Sequence, residues 1–526
     1  MSTRFEHDDD GVLVIIGSGA GGGTLAHALA RKGIKSVVLE AGKRYALEDI
    51  ENDEWAMFEK ISWLDERITA GPRQLSETFP NLPAWIVKGV GGSTIHWAGV
   101  ALRFQPHEFR LHSEVGDIAG ANLLDWPISY EELEPYYVQA ERHMGVTGDA
   151  SGMPLHDWNN NFMVLAEGAR RVGYEKLRAG PMAINTRPYD DRPQCMQAGF
   201  CMQGCRFGAK WSTMYTDIPR AEATGYCEVR PNAMALTIEH DERGRVNAVV
   251  YADAEGNLQR QRARAVCVAG NSIESPRLLL NSHSALFPDG LANSSGQVGR
   301  NYMTHATACV FAEMPKPVNM HRGTTFAGII SDEARLDRSR GFVGGYTLEV
   351  MSLGLPFFAK FMDPANGGWG RDYAAILEKY DHLSGVWICG EDLPMEENGI
   401  TLHDSRKDQY GLPVPIVYKG DHPNDEALRR HGQQQARSCY EAVGAVRVFD
   451  VPDFPTSHNV GTNRMSARPE DGVVNQWGQA HDIDNLFVSD GSQFTSSGAE
   501  NPTLTIVALA LRQADHIAER MSRGEL

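Results

Sequence analysis

Two short runs of consecutive apolar residues flank a glycine-rich turn near the start of the chain, between Gly11 and Gly42. The runs are Val12 to Ile16 and Val37 to Leu39, and unbroken apolar character is typical of strands that are buried on both faces of a parallel sheet. The segment between them has the length and composition of a helix. The pattern therefore predicts a β–α–β unit and a parallel sheet around it.

Later segments partly repeat this pattern. Residues 262 to 282 indicate another buried strand, a turn and a helix, and a capping box of Ser129 and Glu132 predicts the start of a helix. From about 306 to 446 shorter alternating runs are typical of an antiparallel sheet, and the last 70 residues return to buried-strand and helix patterns. We therefore expect an α/β protein, α+β overall, in which a Rossmann-like domain is interleaved with a domain built on an antiparallel sheet.

The predicted domain boundaries follow from these changes of pattern. A discontinuous nucleotide-binding domain takes residues 1–305 and 447–526, and a substrate-binding domain takes residues 306–446. The first domain is expected to carry an aromatic-rich insertion near 45–84 and a Cys-rich loop at 190–212.

The composition excludes some classes of partner and compartment. A net charge of −18 and no Lys/Arg-rich stretch argue against nucleic acid. The acidic start, MSTRFEHDDDG, lacks the features of an export signal, and no apolar stretch reaches the roughly 20 residues of a membrane span. Five cysteines are scattered singly, as expected of reduced, buried thiols. We therefore expect a cytoplasmic protein without a transmembrane segment.

The glycine turn has the spacing of a dinucleotide site. Gly17, Gly19 and Gly22 form G-x-G-x-x-G directly after a strand and at the start of a helix. The glycines permit a tight turn and a close approach of the backbone to a pyrophosphate, and Glu40 closes the second strand where it can bind a ribose hydroxyl. An acidic residue at this place disfavours a 2′-phosphate, so FAD or NAD is expected rather than NADP. The fingerprint does not choose between those two.

Five further stretches carry a resemblance to a known family. They are GVGGSTIHW (89–97), GNSIESPRLLLNS (270–282), VGRNYMTH (298–305), HNVGTNRM (458–465) and NLFVSDGSQFTSSGAENPTLTIVALAL (485–511). With them the chain resembles the glucose-methanol-choline (GMC) family of flavin oxidoreductases over essentially its whole length. The resemblance implies FAD, an FAD-binding and a substrate-binding domain, and oxidation of an alcohol carbon. RPYDDRPQC and ENGITLHDSRKDQYGLPVP add a closer likeness to the large flavoprotein subunits of gluconate 2-dehydrogenase, fructose dehydrogenase and bacterial FAD-dependent glucose dehydrogenase.

Two residues match the family's catalytic positions. Alcohol oxidation by flavin needs a base for the hydroxyl proton and a hydride acceptor at flavin N5. His458 matches the family's catalytic histidine, and a neutral imidazole can accept the proton. Asn501 matches the second catalytic position, although it is also the predicted N-cap of a helix with Pro502 at its first position. Ser466 stands where the family usually has glycine, which puts the local loop geometry in doubt.

The resemblance also implies the remaining FAD contacts, which are Gly92, Ser93, His96, Asp490, Gly491, Pro502 and Thr503. The helix that starts near Asn501 is expected to direct free N–H groups toward the flavin pyrimidine ring. His96 resembles the flavin-linking histidine of pyranose 2-oxidase. Covalent attachment through His96 and simple packing beside the flavin are both left open.

Three cysteines lie within CMQAGFCMQGC, at 195–205. The spacing C-x5-C-x3-C matches no ferredoxin pattern and does not suit zinc, and a disulfide between Cys201 and Cys205 is conceivable. The closer resemblance implies a [3Fe-4S] cluster on Cys195, Cys201 and Cys205, with cofactor-free thiols as the alternative. A cluster would relay electrons singly to a redox protein, such as a cytochrome c that accompanies the chain together with a small subunit.

The leading hypothesis is an FAD-dependent dehydrogenase that oxidises a hydroxyl of a sugar, sugar acid, polyol or glycoside by hydride transfer to flavin N5. An oxidase that uses O2 is the second hypothesis, and an electron-transfer flavoprotein subunit is the third. Aromatic residues of the second domain that could stack on a sugar are Trp369, Tyr373, Tyr380 and Trp387. Co-export with a partner subunit to the periplasm or membrane is the alternative to a cytoplasmic location.

Overall fold

The computed structural model describes residues 4–61, 68–70, 86–366, 369–451 and 456–526. Its strands are β1 Leu13–Ile16, β2 Ser36–Leu39, β3 Ile68–Ala70, β4 Leu177–Arg178, β5 Cys227–Arg230, β6 Met234–His240, β7 Val246–Ala252, β8 Leu258–Arg262, β9 Ala265–Val268, β10 Ala306–Glu313, β11 Ile329–Ile330, β12 Tyr346–Val350, β13 Leu383–Gly390, β14 Gly399–Lys407, β15 Pro413–Tyr418, β16 Arg447–Val451 and β17 Leu486–Val488. Its α-helices are α1 Ala20–Ala30, α2 Glu54–Ile61, α3 Leu111–Val115, α4 Tyr130–Met144, α5 Asn160–Arg171, α6 Asp217–Ala223, α7 Asn271–Asn281, α8 Leu355–Asn366, α9 Arg371–Leu377, α10 Pro423–Ala442 and α11 Thr503–Ser522.

A parallel sheet forms one core. Within the described residues it has five strands in the order β17-β9-β1-β2-β5, and all four pairings are parallel. β1, β2, β9 and β17 are buried along their whole length, as the continuous apolar runs predict. The crossover from β1 to β2 runs through α1, which packs against α6 and α11. The predicted β–α–β unit is confirmed.

An antiparallel sheet forms a second core. In the part of the chain that the structure describes, its order is β16-β10-β13-β12-β11-β4 and every pairing is antiparallel. Helix α10 packs on β10 and β13, and α5 packs on β13. The α/β fold class with separate parallel and antiparallel sheets is therefore confirmed. β4 and β16 come from outside 306–446, so this sheet extends beyond the predicted substrate-binding range.

The remaining local predictions have mixed outcomes. Ser129 caps α4 by accepting a hydrogen bond from the Glu132 N–H, and the Glu132 carboxylate accepts from the Ser129 N–H, which confirms the capping box. Half of the predicted insertion near 45–84, namely 62–67 and 71–84, lies outside the described residues. Among the helices that the structure describes, none combines the length and the apolar character that crossing a bilayer requires.

Candidate active site

The glycine turn brings backbone N–H groups to the end of the parallel sheet. Gly17 has φ +102°, and a Cβ there would lie 2.3 Å from the Ala269 carbonyl oxygen, so only glycine fits. A Cβ on Gly22 would lie 2.1 Å from the Gly17 oxygen, and one on Gly92 would lie 2.8 Å from the Gly19 Cα. No side chain of the described residues caps α1, so its N-terminal N–H groups are open to an anion.

Glu40 lies at the end of β2 with its carboxylate held by the turn. Its Oε2 accepts hydrogen bonds from the Ser18 N–H (3.1 Å) and hydroxyl (2.6 Å), and its Oε1 accepts from the Gly42 N–H (3.0 Å). Burial raises the pKa of Glu40, while these hydrogen bonds act in the opposite direction. The carboxylate keeps acceptor capacity that a ribose hydroxyl can use.

One cavity runs from this turn to the antiparallel sheet. It is lined by most of the residues that the sequence analysis selected, namely Gly17, Gly19, Glu40, Gly92, Ser93, His96, His458, Asp490, Gly491, Asn501, Pro502 and Thr503. Gly22 packs behind the turn, and Cys195, Cys201 and Cys205 lie outside the lining. Met202, between two of those cysteines, reaches the cavity.

His458 is held by a second histidine that the sequence analysis did not select. The His305 Nε2–H donates to the Ser497 carbonyl oxygen (3.2 Å), so the His305 Nδ1 carries a lone pair. The His458 Nδ1 lies 2.9 Å from the His305 Nδ1 and must therefore donate to it. This assignment leaves the His458 Nε2 as an unprotonated, basic nitrogen.

Burial keeps both histidines neutral. It lowers the pKa of His458 well below its usual value, and the neighbouring His305 lowers it further. Burial also lowers the pKa of His305 to about 4. The Trp387 ring meets the His458 ring edge to face, with 5.6 Å between the ring centroids. The basic nitrogen is thus available across the neutral pH range.

Asn501 does not cap the last helix, which corrects the prediction. Helix α11 begins at Thr503 and Pro502 is its N-cap, because the helical hydrogen-bonding pattern starts later than the sequence suggested. The Asn501 side chain is instead hydrogen-bonded to the buried carboxyl group of Glu349 on β12. Its Oδ1 has no hydrogen-bond partner among the described residues. The Asn501 amide is therefore not used up by capping.

Asp490 lines the cavity and joins two parts of its wall by hydrogen bonds. Its carboxylate accepts from the Asn271 N–H (2.9 Å), the Ser275 hydroxyl (2.5 Å) and the Ser492 N–H (2.8 Å). These contacts join α7 to the turn that follows β17. Gly491 is closely packed, since a Cβ there would lie 2.9 Å from the Asn459 carbonyl oxygen.

Lys210 joins His96 and its neighbours to the cysteine loop. Its Nζ donates to the carbonyl oxygens of Ile95 (3.0 Å), Trp97 (2.5 Å) and Cys201 (2.6 Å). Burial lowers the pKa of Lys210 to about 8. Burial, and then the charge of Lys210, lowers the pKa of His96 to about 3, so the imidazole in the cavity wall is neutral.

The three cysteines of the loop are free thiols, as are the other five. Burial raises the pKa of Cys195 to about 12, and it also raises the pKa of Cys201. In the described part of the chain two groups of side chains bring three ligand atoms within 4.8 Å of one another, and neither contains these cysteines. They are therefore not arranged around a single metal ion, and the Cys201–Cys205 disulfide is absent from the structure.

The aromatic residues of the second domain separate into two sets. Trp387 lines the cavity, whereas Trp369 is 82% exposed. Tyr373 and Tyr380 donate to the backbone oxygens of Ala359 and Leu353. Of these four residues, only Trp387 has the place predicted for a sugar-stacking ring.

Comparisons with known proteins identify the family of the chain. Two family models described as GMC oxidoreductase match residues 81–307 and 394–510. The chain is 34% identical to 2-methyl-1,2-propanediol dehydrogenase of Mycolicibacterium austroafricanum, over 99% of this chain and 97% of that protein. It is 31% identical to the fructose dehydrogenase large subunit of Gluconobacter japonicus, over 97% of this chain and 98% of that protein.

A solved structure of Aspergillus oryzae RIB40 formate oxidase superposes with a TM-score of 0.68 at 14% identity, covering 98% of this chain and 100% of that one. This likeness concerns the fold, and the sequence matches concern the family, whose members bind FAD. The chain thus belongs to the GMC oxidoreductase family and is an FAD-dependent oxidoreductase that acts on CH–OH groups.

Proposed function

We propose that the chain is a dehydrogenase that oxidises a hydroxyl of a sugar, sugar acid, polyol or glycoside, with His458 as the base. The observation that carries this proposal is the hydrogen-bond chain from Ser497 through His305 to His458, which leaves the His458 Nε2 unprotonated in a residue that lines the cavity. A base of this kind contributes roughly 10²- to 10⁴-fold to a rate.

The cavity fits FAD at the dinucleotide end. The open N-terminus of α1 and the glycines at 17, 19 and 92 suit a pyrophosphate, and Glu40 suits a ribose hydroxyl. Pro502 and Thr503 place the N-terminus of α11, which no described side chain caps, in the cavity wall. When bound, FAD supplies the acceptor for the hydride that leaves the substrate carbon.

The chain's own residues act on the substrate hydroxyl. The His458 Nε2 accepts the hydroxyl proton. The protonated His458 ring keeps the hydrogen bond from its Nδ1–H to the His305 Nδ1. The Asn501 Oδ1, which lacks a partner among the described residues, can accept a hydrogen bond from the substrate. Trp387 and Phe326 pack edge to face in the lining and make this part of the cavity wall apolar. The predicted split into a substrate-binding domain at 306–446 and an FAD-binding remainder is part of this proposal.

Two relatives support the substrate class and the choice of a dehydrogenase, because one is named for a diol and the other for a ketose, and both are dehydrogenases. A panel of sugars, sugar acids and polyols, tested with an artificial electron acceptor, should contain a substrate that reduces the dye much faster than it forms peroxide. Peroxide formation at the dye rate would instead identify the oxidase. If no compound bleaches the flavin anaerobically, the chain is the electron-transfer subunit.

The cysteine loop supports a route for electrons to leave the site. Met202 reaches the cavity, and Lys210 ties the loop to the stretch that contains His96. We propose that Cys195, Cys201 and Cys205 hold a [3Fe-4S] cluster; when bound, it transfers electrons singly. The name of the fructose dehydrogenase large subunit supports a small subunit as a partner, and a cytochrome c or similar redox acceptor stays a prediction. The cytoplasmic location, or co-export with such a partner, stays a prediction.

The link between Glu349 and Asn501 predicts a pH dependence. Burial raises the pKa of Glu349 to about 8, so the carboxyl group is neutral at pH 7 and ionises above pH 8. An anion behind Asn501 opposes the negative charge that develops on the substrate oxygen as His458 removes its proton, so kcat should fall as the pH rises through 8. Glu349→Gln should keep activity within about threefold at pH 7 and lose this alkaline decline. A profile of kcat against pH checks it, and an unchanged decline in the variant contradicts it.

A measurement of thermal stability separates the alkaline decline of kcat from unfolding of the protein. The folded chain holds a proton on Glu349 that the unfolded chain releases above pH 4.5, so the carboxyl group costs stability increasingly between pH 4.5 and about 8. The cost grows by about 1.4 kcal/mol for each pH unit. The Gln variant escapes this cost, and its melting temperature at pH 7.5 should equal or exceed that of the wild type.

His96 allows a direct test of covalent attachment. Its neutral imidazole lies in the cavity wall and would be the group that holds the flavin 8α-methyl carbon if FAD is attached covalently. If the bond forms, acid-precipitated protein keeps its yellow colour, and His96→Ala releases the colour to the supernatant while still binding FAD. Complete release from the wild type would instead show that His96 only packs beside the flavin.

A further inference from the structure

Three side chains with metal-binding atoms meet behind the cavity wall. The His305 Nδ1 lies 2.9 Å from the His458 Nδ1 and 3.3 Å from the Cys389 Sγ, and all three atoms lie within 4.8 Å of one another. Cys389 is on β13, and its register partner on β10 is Thr307, two residues after His305. The strand pairing of the sheet therefore holds the thiol beside the two histidines.

The ligand types and spacing suit a thiophilic divalent cation. Tetrahedral zinc binds imidazole nitrogen at about 2.0–2.1 Å and thiolate sulfur at about 2.3 Å, which places the ligand atoms roughly 3.4–3.6 Å apart. The distances at His305 are 2.9 and 3.3 Å, so each needs to lengthen by only a few tenths of an ångström. Two imidazoles and one thiolate also leave a fourth position for water.

Buried carboxyl groups act electrostatically on Cys389 and His305. Burial is the main cause that raises the pKa of the Cys389 thiol, and Glu349, Glu500 and Glu108 raise it further. Asp392 acts on His305 in the direction that favours a positive charge. The Oε2 atoms of Glu349 and Glu500 have no hydrogen-bond partner among the described residues. Burial raises the pKa of both carboxyl groups, and a bound cation would favour their ionised forms.

We propose that His305, Cys389 and His458 form an inhibitory site for Zn²⁺ or a similar thiophilic cation. A metal–sulfur bond forms while the Cys389 S–H bond breaks and its proton leaves to solvent. The His305 Nδ1 binds through its lone pair and keeps its Nε2–H on Ser497. The His458 Nδ1 becomes a ligand, so the proton of that neutral ring moves to Nε2.

This proton shift removes the lone pair of the His458 Nε2, which the proposed function uses as the base. The predicted inhibition therefore rests on the proposed function. Metal binding itself does not, because it can be observed without turnover. Cys389 lies outside the cavity lining, so its replacement should leave turnover in the absence of metal unchanged.

Cd²⁺ is the probe, added to the FAD-loaded enzyme. The expected result is loss of substrate-dependent dye reduction, reversed by EDTA, together with an ultraviolet thiolate-to-cadmium charge-transfer band. In Cys389→Ala the inhibition constant should rise at least about tenfold, as expected when a metal ligand is lost. The part of the band that belongs to Cys389 should vanish. Cys389→Ser gives the same readout if the alanine variant folds poorly.

Cys439→Ala is the matched control, since Cys439 is equally buried in the same core and is not one of the three ligands. It should be inhibited like the wild type. The cysteine loop can bind Cd²⁺ too, so the band is read as the difference between the wild type and Cys389→Ala. Equal inhibition of Cys389→Ala and wild type, or binding at Cys389 without loss of turnover, overturns the proposal. Failure of the proposed function appears separately, as normal turnover of His458→Ala without metal.

Discussion

His458→Ala should lower kcat about a thousandfold, within the roughly 10²- to 10⁴-fold range that a positioned base contributes. Of the two hydrogen-bonded histidines, His305 and His458, only His458 lines the cavity. The variant therefore loses the basic nitrogen that can reach the substrate. FAD content should stay near that of the wild type, because the dinucleotide end of the cavity is formed by the turn at Gly17 and by Glu40. Anaerobic mixing with substrate should leave the flavin largely unbleached.

Imidazole added to the solution should partly restore the rate of His458→Ala, because truncation leaves a space for a free base beside Trp387. His481→Ala is a suitable control, since His481 is a partly buried histidine of the same C-terminal segment and hydrogen-bonds to Ser466 instead. It should retain normal turnover. A His458→Ala variant that keeps more than about a tenth of the wild-type rate with full FAD content would remove His458 from the mechanism.

The sequence predicts the fold around the proposed dinucleotide end of the site well because its determinants are local. A strand, a glycine turn and a helix lie within Gly11 to Gly42, and the steric need for glycine at position 17 depends on a turn that the motif itself specifies. The parallel sheet follows from short apolar runs that must be covered on both faces. Even here the order of strands could not be read from the runs, because β17 joins the sheet from the far end of the chain.

The proposed catalytic end of the site depends on contacts between distant residues. His305 and His458 are 153 positions apart, and only the fold brings their Nδ1 atoms together. The stretch VGRNYMTH contained His305, so the position was visible, but its hydrogen bond to His458 was not. Glu349 gave no local signal, because its importance comes from burial and from Asn501, which lies on a different part of the chain.

The prediction that Asn501 is the N-cap of the last helix was wrong for a related reason. An Asn-Pro pair before an apolar helix is a good local signal for a cap, but it cannot reveal a competing partner from another strand. The Asn501 amide forms a hydrogen bond with the buried carboxyl group of Glu349. The next residue, Pro502, is the N-cap of the helix and has no N–H that the Asn501 side chain could accept from. Tertiary contacts therefore decide the role of this side chain.

Cys201→Ser should remove the proposed cluster and separate the two halves of the reaction. Iron content should fall from about three atoms per chain to less than one, and the electron paramagnetic resonance signal of the oxidised cluster should disappear. Substrate should still bleach the flavin, because His458 and Asn501 lie in the cavity and the cysteines do not. Turnover with a one-electron protein acceptor should drop about a hundredfold, while a dye that reaches the flavin directly should still be reduced.

The loop geometry explains why the effect should be confined to the electron route. Lys210 holds the loop through the carbonyl oxygen of Cys201, so replacing the sulfur leaves that anchor in place. Cys195→Ser and Cys205→Ser should behave alike, whereas Cys227→Ser, at a thiol buried in β5, should keep iron and turnover. Anaerobically purified wild-type protein without iron would contradict the cluster. In that case the raised thiol pKa values of Cys195 and Cys201 would keep these two side chains as neutral thiols, which carry no electrons.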